Sequence, residues 1–359
     1  MSLAPGATIG ILGGGQLGRM IALAAADLGL RAHVYAPEAD QPAFDVAAAF
    51  TCAAYGDEDA LARFAAAVDV VTYEFENVPE ATAALLARLK PVRPGPSALA
   101  AAQDRLVEKR FLEGLGAPVA PFADAPDETA LREALARFGG HGILKTRRLG
   151  YDGKGQVRLR PGDDPRAALD AIEGAPAILE ALVPFAREIS VVAARGIDGA
   201  FAAWDPGENE HADHVLSLTR VPARTTPATS AAAVALARRI LDALDCVGVM
   251  GVELFVVGRG ADERLVVNEI APRVHNSGHW TDPGAVTSQF EQHVRAICGW
   301  PLGSTARRGR IEMRNLLGDG ALGWRDALAT PDAHLRLYGK RDRAPGRKMG
   351  HVTRIFPEV

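Results

Sequence analysis

A predicted strand gives way to a polar loop in the stretch Val266-Val267-Asn268-Glu269-Ile270-Ala271-Pro272-Arg273-Val274-His275-Asn276-Ser277-Gly278-His279-Trp280. The apolar, β-branched run up to Ile270 predicts the strand, and Pro272 ends it because proline has no amide hydrogen for a sheet ladder. Loops that leave a rigid strand commonly carry functional residues. Two interpretations stay open here: a functional site, or a polar turn in which Glu269 is buried in a salt bridge.

The two histidines of this stretch allow a further alternative. His275 and His279 have the i, i+4 spacing of a zinc-binding pair on a helix. Ser277-Gly278 lies between them and favours a loop over a helix. Zinc is therefore an alternative that the loop prediction disfavours.

A second carboxylate precedes this stretch on its own predicted strand. The segment 247–257 is apolar apart from Glu253, and a buried carboxylate must be paired or must hold a metal ion. After a turn at 258–262 the chain returns through Glu269, which predicts two carboxylates on adjacent antiparallel strands. Such a pair could place magnesium on nucleotide phosphates.

A basic glycine hairpin is predicted at Arg147-Arg148-Leu149-Gly150-Tyr151-Asp152-Gly153-Lys154-Gly155-Gln156, just after Lys145. Lysine is rare in this chain and occurs only at 90, 109, 145, 154, 340 and 348. Glycines give such a hairpin the freedom to fold over phosphates with its backbone amides. It lacks the G-x-x-x-x-G-K-[ST] pattern of a P-loop, and an ordinary glycine turn is the other interpretation.

The first hundred residues predict a doubly wound α/β unit, in which parallel strands alternate with helices. The order is strand Ala7–Leu12, glycine loop Gly13–Gly18, helix Arg19–Leu28 and strand Arg31–Tyr35. The loop matches G-x-G-x-x-G, so an NAD-dependent dehydrogenase must be considered, with Glu38 as a ribose-binding acid. A further strand at 69–75 ends in Glu74-Phe75-Glu76-Asn77, which places polar groups at the ligand side of the sheet. The fold class is predicted, but the ligand of the loop stays open.

The composition is that of a globular enzyme of two or three domains. The 359 residues are 48% hydrophobic and 23% charged, with a net charge of −4, unlike the basic surfaces of nucleic-acid binders. No apolar run is long enough for a membrane helix, and no secretory signal opens the chain. The cysteines at 52, 246 and 298 are far apart, which favours a reducing cytoplasm.

Together these pieces resemble the ATP-grasp superfamily, and within it the sequence is similar to the 5-(carboxyamino)imidazole ribonucleotide synthase family. The resemblance rests on four stretches: Gly14–Met20, Gly150–Gln156, Asn268–Trp280 and Gly346–His351. It implies a Rossmann-like parallel-sheet domain at 1–100, an ATP-grasp domain at 101–300 with a lid at about 115–185, and a small β-rich domain at 301–359. It also implies a homodimer.

The resemblance further implies the ligands and their contacts. ATP would contact Arg105, Lys145, Gly150, Tyr151, Asp152, Gly153, Lys154, Gly155, Gln156, Glu180, Ala181, Leu182, Val183, Glu188, His211, Asn268 and Glu269. Magnesium would be held by Glu253 and Glu269. The 5-aminoimidazole ribonucleotide would contact Gln16, Glu76, Tyr151, Arg273, His275, Asn276, Ser277, Arg347 and Lys348, of which Arg273, His275 and Lys348 would be catalytic.

The implied reaction is ATP-dependent carboxylation of this ribonucleotide by bicarbonate through carboxyphosphate, in purine biosynthesis. Ala271 departs from the pattern, since many ATP-grasp enzymes have Asn there, and the terminal domain is expected to be small. Three alternatives remain: an ATP-grasp ligase with another acyl acceptor, a dehydrogenase that uses the glycine loop Gly13–Gly18, and a nucleotide-binding regulatory protein without turnover.

Overall fold

The computed structural model describes residues 2–150 and 153–358. Within these ranges the backbone forms a parallel sheet, a small antiparallel sheet and a large antiparallel sheet. No helix in this described part is both long enough and apolar enough to cross a membrane.

The N-terminal region alternates strands and helices, as the sequence predicts. Its elements are β1 (Thr8–Leu12), α1 (Gln16–Asp27), β2 (Arg31–Ala36), β3 (Ala49–Cys52), α2 (Glu58–Ala66), β4 (Val70–Tyr73), α3 (Glu80–Leu89) and α4 (Pro96–Gln103). The strands pair in parallel in the order β3-β2-β1-β4. The glycine loop therefore leaves β1 beside the end of β4, which brings residues 13–18 next to residues 74–76.

A small α/β unit follows the first sheet. Its elements are α5 (Arg105–Gly114), β5 (Phe122–Asp124), α6 (Glu128–Arg137), β6 (Gly142–Thr146), β7 (Gln156–Leu159), α7 (Pro165–Ala171) and β8 (Ala177–Glu180). The strands pair antiparallel in the order β5-β8-β6-β7. The glycine hairpin joins β6 to β7, and β8 carries Glu180 at its end.

The remaining elements build the large sheet and its covering helices. They are β9 (Phe185–Arg195), β10 (Phe201–Ala203), β11 (Gly207–Ala212), β12 (Val215–Val221), α8 (Pro227–Ala243), β13 (Gly248–Val257), β14 (Arg264–Ala271), α9 (Thr281–Gly284), α10 (Gln289–Cys298), β15 (Arg310–Leu317), α11 (Trp324–Ala329), β16 (Ala333–Leu337) and β17 (Lys348–Phe356). The strand order is β14-β13-β9-β11-β12-β15-β17-β16, with β10 beside β9. Strands from either side of residue 300 thus share one sheet, and the predicted domain boundary there stays a prediction.

The N-terminal region and the large sheet share one hydrophobic core. Ile9 and Met20 belong to the same buried cluster as Val249 and Phe290. Burial of this apolar surface stabilises the arrangement in proportion to the area removed from water. It also brings the carboxyl end of β4 against the loop that follows β14.

Candidate active site

Two carboxylates face each other across β13 and β14. Glu253 and Glu269 are directly opposed in the register, and directly opposed residues of antiparallel strands share a face. Burial and the neighbouring Glu269 carboxylate raise the pKa of Glu253 to about 7. Burial also acts on Glu269, but the ion pair with Arg105, at 2.9 Å, outweighs it and lowers that pKa.

The donor set of this pair suits magnesium. The two carboxyl groups lie opposite each other on adjacent strands, and a divalent cation between them would neutralise their charge. In residues 2–150 and 153–358, no three His, Cys, Asp or Glu side chains lie close enough to hold a metal ion by themselves. Magnesium commonly takes one or two protein carboxylates and completes its shell with phosphate oxygens and water. Glu253 and Glu269 fit that pattern.

Helix α5 holds three consecutive residues of β14, beginning with the Arg105 ion pair. Glu108 Oε1 accepts a hydrogen bond from the Ile270 N–H at 2.6 Å, and Lys109 Nζ donates to the Asn268 carbonyl at 2.7 Å. Positions i, i+3 and i+4 lie on one helix face. Glu108 and Lys109 were not among the predicted site residues. The rarity of lysine was the signal that could have indicated Lys109.

Glu180 lies between two lysines at the end of β8. Lys145 Nζ donates to Oε2 at 3.0 Å, and Lys109 Nζ lies 3.5 Å from the same oxygen. Burial lowers the pKa of Lys145. Glu180 Oε1 is buried and has no hydrogen-bond partner in the part of the chain that the structure describes, so it can accept a donor from a bound ligand. The predicted ATP contacts at 181–183 follow directly and lead into β9.

The glycine hairpin stands beside Arg105. Arg105 Nη2 donates to the Gly150 carbonyl at 3.2 Å. Gly153 and Gly155 have φ of 78° and 69°, in the left-handed region that favours glycine. Two residues of the predicted ATP contact set, Tyr151 and Asp152, lie outside the described residues.

A histidine and a carboxylate pair with each other nearby on the large sheet. His211 Nδ1 on β11 lies 2.7 Å from Glu188 Oε2 on β9. Burial lowers the pKa of His211, but the hydrogen bond to Glu188 outweighs burial and the pKa is raised. The Glu253 charge acts on His211 in the same upward direction. The structure therefore brings His211, Glu188 and the Glu253–Glu269 pair into one electrostatic group.

Arg273 joins the loop that follows β14, residues 272–280, to the N-terminal region, and we call this segment the central loop. Its Nη2 donates to Glu76 Oε1 at 3.0 Å and its Nε donates to the other oxygen of the same carboxylate. Burial would raise the pKa of Glu76, but Arg273 lowers it to about 2. Bidentate pairs of this kind fix both partners in orientation. Both residues were predicted as ribonucleotide contacts, and the structure places them together.

The glycine loop Gly13–Gly18 is occupied by the side chain of Glu74. The Gly18 N–H donates to Glu74 Oε2 at 2.6 Å, and the Gly15 N–H donates to Oε1. A Cβ at Gly13, Gly15 or Gly18 would clash with or crowd this carboxylate or its neighbours. In a dinucleotide-binding loop the helix N-terminus receives a pyrophosphate instead. The dehydrogenase interpretation is therefore wrong for this loop, because an internal anion fills its phosphate position.

His275 and His279 point to different partners, so they do not form the zinc pair that their spacing allowed. His275 Nε2 lies 3.2 Å from Glu253 Oε1, whereas the His279 ring stacks on His351 with centroids 4.8 Å apart. His351 Nδ1 lies 2.8 Å from the Tyr338 hydroxyl. This buried ring cluster connects the central loop to β17, and it was not predicted from the sequence.

The stretch Gly346–His351 contributes one of its two predicted cations, Lys348, to this region. Burial lowers the pKa of His275 to about 3, and the charges of Arg273 and then Lys348 act in the same direction. Lys348 is therefore close enough to act electrostatically on the central loop. Arg347 is exposed and pairs with Asp342 at 2.7 Å, so the structure does not bring it to the carboxylate pair.

The sequence matches three family models that follow one another along the chain. They are a ribonucleotide synthetase preATP-grasp domain at residues 6–103, an ATP-grasp domain at 110–290 and a phosphoribosylaminoimidazole carboxylase C-terminal domain at 312–359. With the carboxylate pair, the lysine-flanked Glu180 and the glycine hairpin, these matches define an ATP-grasp enzyme.

Full-length relatives identify the family within the ATP-grasp enzymes to which the chain belongs. A Brucella melitensis N5-carboxyaminoimidazole ribonucleotide synthase is 52% identical over 100% of this chain and 99% of its own length. One from Pseudomonas aeruginosa is 44% identical over 96% of this chain and 93% of its own. The chain belongs to the N5-carboxyaminoimidazole ribonucleotide synthase family.

Solved structures agree with this assignment. An ADP complex of an N5-carboxyaminoimidazole ribonucleotide synthetase matches with a TM-score of 0.95 and 40% identity, over 100% of this chain and 94% of that chain. An Aspergillus clavatus enzyme in complex with ADP and 5-aminoimidazole ribonucleotide matches with a TM-score of 0.91 and 30% identity, over 98% and 94%.

Proposed function

We propose that the chain carboxylates 5-aminoimidazole ribonucleotide with bicarbonate and ATP, giving N5-carboxyaminoimidazole ribonucleotide, ADP and phosphate. It is an ATP-dependent ligase of purine biosynthesis, as family membership implies. The observation that carries the proposal is the position of Arg273. Its guanidinium follows the carboxylate strand directly and pairs with Glu76 of the N-terminal region, so it lies between the proposed ATP and ribonucleotide sites.

Residues of the two antiparallel sheets would bind ATP. The buried Glu180 Oε1 is an unsatisfied acceptor among the described residues, suited to an amino group of the nucleotide. Lys145 and Arg105 supply positive charge beside it. Magnesium, when bound by Glu253 and Glu269, would neutralise charge on the ATP phosphates. The glycine hairpin would exclude water, which a reactive acyl phosphate requires.

The chemistry proceeds in two bond exchanges. A bicarbonate oxygen attacks the γ-phosphorus of ATP, and the bond from that phosphorus to the ADP oxygen breaks, which gives carboxyphosphate. The bond between the carbon and the bridging oxygen of carboxyphosphate breaks, which releases carbon dioxide and phosphate. The exocyclic amine nitrogen then bonds to the carbon of carbon dioxide and gives one proton to the released phosphate. Three N–H groups of Arg273 contact Glu76 and the Val274 carbonyl. Its other two can bind an anionic oxygen in the transition state.

The test is a coupled assay of ADP release with each substrate omitted in turn. ADP formation should require bicarbonate and 5-aminoimidazole ribonucleotide together. ADP formation with another acceptor would support a different ATP-grasp ligase, and ATP binding without turnover would support a regulatory protein.

We further propose a homodimer in a reducing cytoplasm. The dimer rests on the sequence resemblance, and sedimentation equilibrium measures it. The compartment is supported by Cys52, Cys246 and Cys298, which are free thiols.

A further inference from the structure

One residue separates helix α4 from helix α5. Gln103 ends α4 and Arg105 begins α5, and Asp104 between them has an extended backbone with φ of −126° and ψ of 114°. The side chains of these three consecutive residues contact three different parts of the candidate site, and we call them the junction. Arg105 pairs with Glu269 on β14, and its two neighbours contact other segments.

Asp104 contacts the start of the glycine hairpin. Its Oδ2 accepts a hydrogen bond from Arg147 Nη2 at 2.8 Å, and its Oδ1 accepts one from Arg147 Nε at 3.0 Å. Oδ1 also accepts from the Leu106 N–H at 3.0 Å, which caps α5. Burial acts to raise the pKa of Asp104, but the hydrogen bond and charge of Arg147, with the capping N–H groups, outweigh burial and lower it. Asp104 is therefore charged, and its forked pair with Arg147 fixes both side chains in orientation.

Arg105 holds the same segment through its backbone and its side chain. Its N–H donates to the Arg147 carbonyl at 2.9 Å, and its Nη2 donates to the Gly150 carbonyl at 3.2 Å. Leu149 lies between these two points with φ of 63°, in the left-handed region that leucine rarely adopts. Backbone strain of this kind persists where the surrounding structure holds it, commonly at ligand-binding segments. The junction therefore fixes the bend at which the glycine hairpin begins.

Gln103 contacts the segment that follows β4 instead. Its Nε2 donates to the Glu76 carbonyl at 2.8 Å and to the Val78 carbonyl. Gln103 is 7% exposed, and in such a buried place a hydrogen bond is stronger than in water. Both carbonyls belong to the segment whose Glu76 side chain pairs with Arg273. Gln103 therefore fixes the backbone from which Glu76 reaches the proposed ribonucleotide site.

We propose that Asp104 and Gln103 are positioning residues with separate tasks. Asp104, through Arg147, sets the glycine hairpin for ATP, and Gln103 sets the Glu76 segment for the ribonucleotide. Neither side chain has to touch a substrate in this role. The part that concerns ATP requires only nucleotide binding, whereas the part that concerns the ribonucleotide rests on the proposed function.

The first test measures the affinity for ADP by isothermal titration calorimetry in the presence of magnesium. Asp104→Asn keeps Oδ1 as the acceptor that caps α5, since Asn and Asp are equivalent caps, and removes the charge and the second acceptor that Arg147 uses. Its Kd for ADP should rise about tenfold, because a charge-assisted contact that places the hairpin is lost. Arg147→Gln should give the same rise.

The double variant Asp104→Asn/Arg147→Gln shows whether the two residues act as a pair. Either single substitution breaks the pair, so the double variant should bind ADP no more weakly than the weaker single variant. The matched controls are Asp127→Asn, since Asp127 caps α6 by the same kind of hydrogen bond, and Arg132→Gln, which removes an exposed ion pair with Glu128 on that helix. Both should bind ADP like the parent.

The second test compares KM values in the coupled assay. Asp104→Asn should raise KM for ATP and leave KM for the ribonucleotide nearly unchanged. Gln103→Met keeps the approximate shape and removes the donor, so it should raise KM for the ribonucleotide about two- to tenfold, the range for loss of one hydrogen bond, with KM for ATP nearly unchanged. A side chain with only a structural role would move both KM values together, or would change only the free energy of unfolding, which urea unfolding measures.

The role of Asp104 is decided by ADP affinity. Parental affinity in both Asp104→Asn and Arg147→Gln, or losses that add in the double variant, overturns it. Should Asp104→Asn fail to fold, Arg147→Gln decides alone, because the Arg147 side chain is 26% exposed and tolerates substitution.

The role of Gln103 is decided by the KM values. An unchanged KM for the ribonucleotide in Gln103→Met, or equal changes in both KM values, overturns it. Gln103→Asn, which shortens the side chain and stays polar, replaces Gln103→Met if that variant does not fold. If the parent itself does not carboxylate the ribonucleotide, the proposed function fails while the ADP affinities still decide the role of Asp104.

Discussion

At the scale of single residues, the charge of Glu269 is the feature on which phosphoryl transfer should depend. Glu269→Gln keeps the shape of the side chain and removes the charge that faces Glu253. Loss of one preorganised electrostatic group commonly costs about 10²-fold or more in rate. ADP formation at saturating magnesium should fall by that order while the circular dichroism spectrum stays unchanged. Near-parental turnover would remove Glu269 from the site.

The control for this variant is Glu312→Gln. Glu312 lies on β15 and pairs with Arg220 at 3.2 Å, away from the carboxylate pair. Exposed ion pairs contribute about 0–1 kcal/mol to stability. Its ADP formation should equal that of the parent.

Lys348 carries a second prediction at this scale. Burial lowers the pKa of His275, and the charges of Arg273 and Lys348 lower it further. Lys348 therefore lies near the central loop, and we expect it to face the ribonucleotide or bicarbonate. Lys348→Ala removes a charge-assisted contact worth about 1.5–3 kcal/mol. The kcat/KM for the ribonucleotide or for bicarbonate should fall at least roughly tenfold, while KM for ATP stays unchanged.

The matched control is Lys340→Ala, whose ammonium lies over the Tyr338 ring at 5.7 Å from its centroid. It should behave like the parent. Equal kinetics in both lysine variants, or a loss of ATP affinity in Lys348→Ala, would show that Lys348 is not part of the carboxylation site.

At the scale of elements, α5 holds β14 through a carboxyl group that is mostly protonated near neutral pH. Burial raises the pKa of Glu108 to about 8, and its Oε1 accepts from Ile270 N–H. Glutamine reproduces a neutral carboxyl with an acceptor oxygen, so Glu108→Gln should keep the free energy of unfolding. Glu108→Ala leaves the buried N–H unpaired and should lower it by about 1–3 kcal/mol.

Urea unfolding measures both variants, with Glu113→Ala as the control because Glu113 is exposed on the same helix. Exposed substitutions usually change stability by no more than about 0.5 kcal/mol. A fully stable Glu108→Ala would show that β14 does not depend on this hydrogen bond.

At the scale of the whole molecule, His293 couples stability to pH where the N-terminal region meets the large sheet. The Val249 N–H donates to Nδ1 at 3.0 Å, and Nε2 lies 2.8 Å from Thr72 Oγ1 on β4. Burial lowers the pKa of His293 to about 3, against about 6.5 in an unfolded chain. A proton on Nδ1 would face the Val249 N–H, so the folded protein keeps the ring neutral.

The sign of the pH effect follows from these two pKa values. Between about pH 6.5 and pH 3 the unfolded chain binds a proton that the folded protein does not. The free energy of unfolding should therefore decrease on acidification through this window, by up to about 1.4 kcal/mol per pH unit from this residue. His293→Gln should make the slope shallower, and exposed His141→Gln should leave it unchanged. Equal slopes in all three proteins would contradict the assignment.

The local sequence was sufficient for the elements and for residues that share a strand pair. The apolar runs around Glu253 and Glu269 predict two strands, and a short turn makes those strands neighbours, which the register confirms. The alternation of strands and helices before residue 100 predicts the parallel sheet in the same way. Backbone conformation and burial pattern depend mainly on residues close in sequence, so these features can be predicted without the tertiary structure.

Only the tertiary structure decided which partner each buried polar group has. Glu74 fills the glycine loop from 59 positions away, although the loop by itself matches a dinucleotide-binding pattern. Ser190 meets Ser277 across 87 positions, and nothing near either residue in sequence indicates the other. A buried donor or acceptor is satisfied by whichever group the packing of distant elements brings within about 3 Å. Element patterns are therefore encoded locally, whereas a contact such as the one that fills the glycine loop with Glu74 arises only when the elements pack.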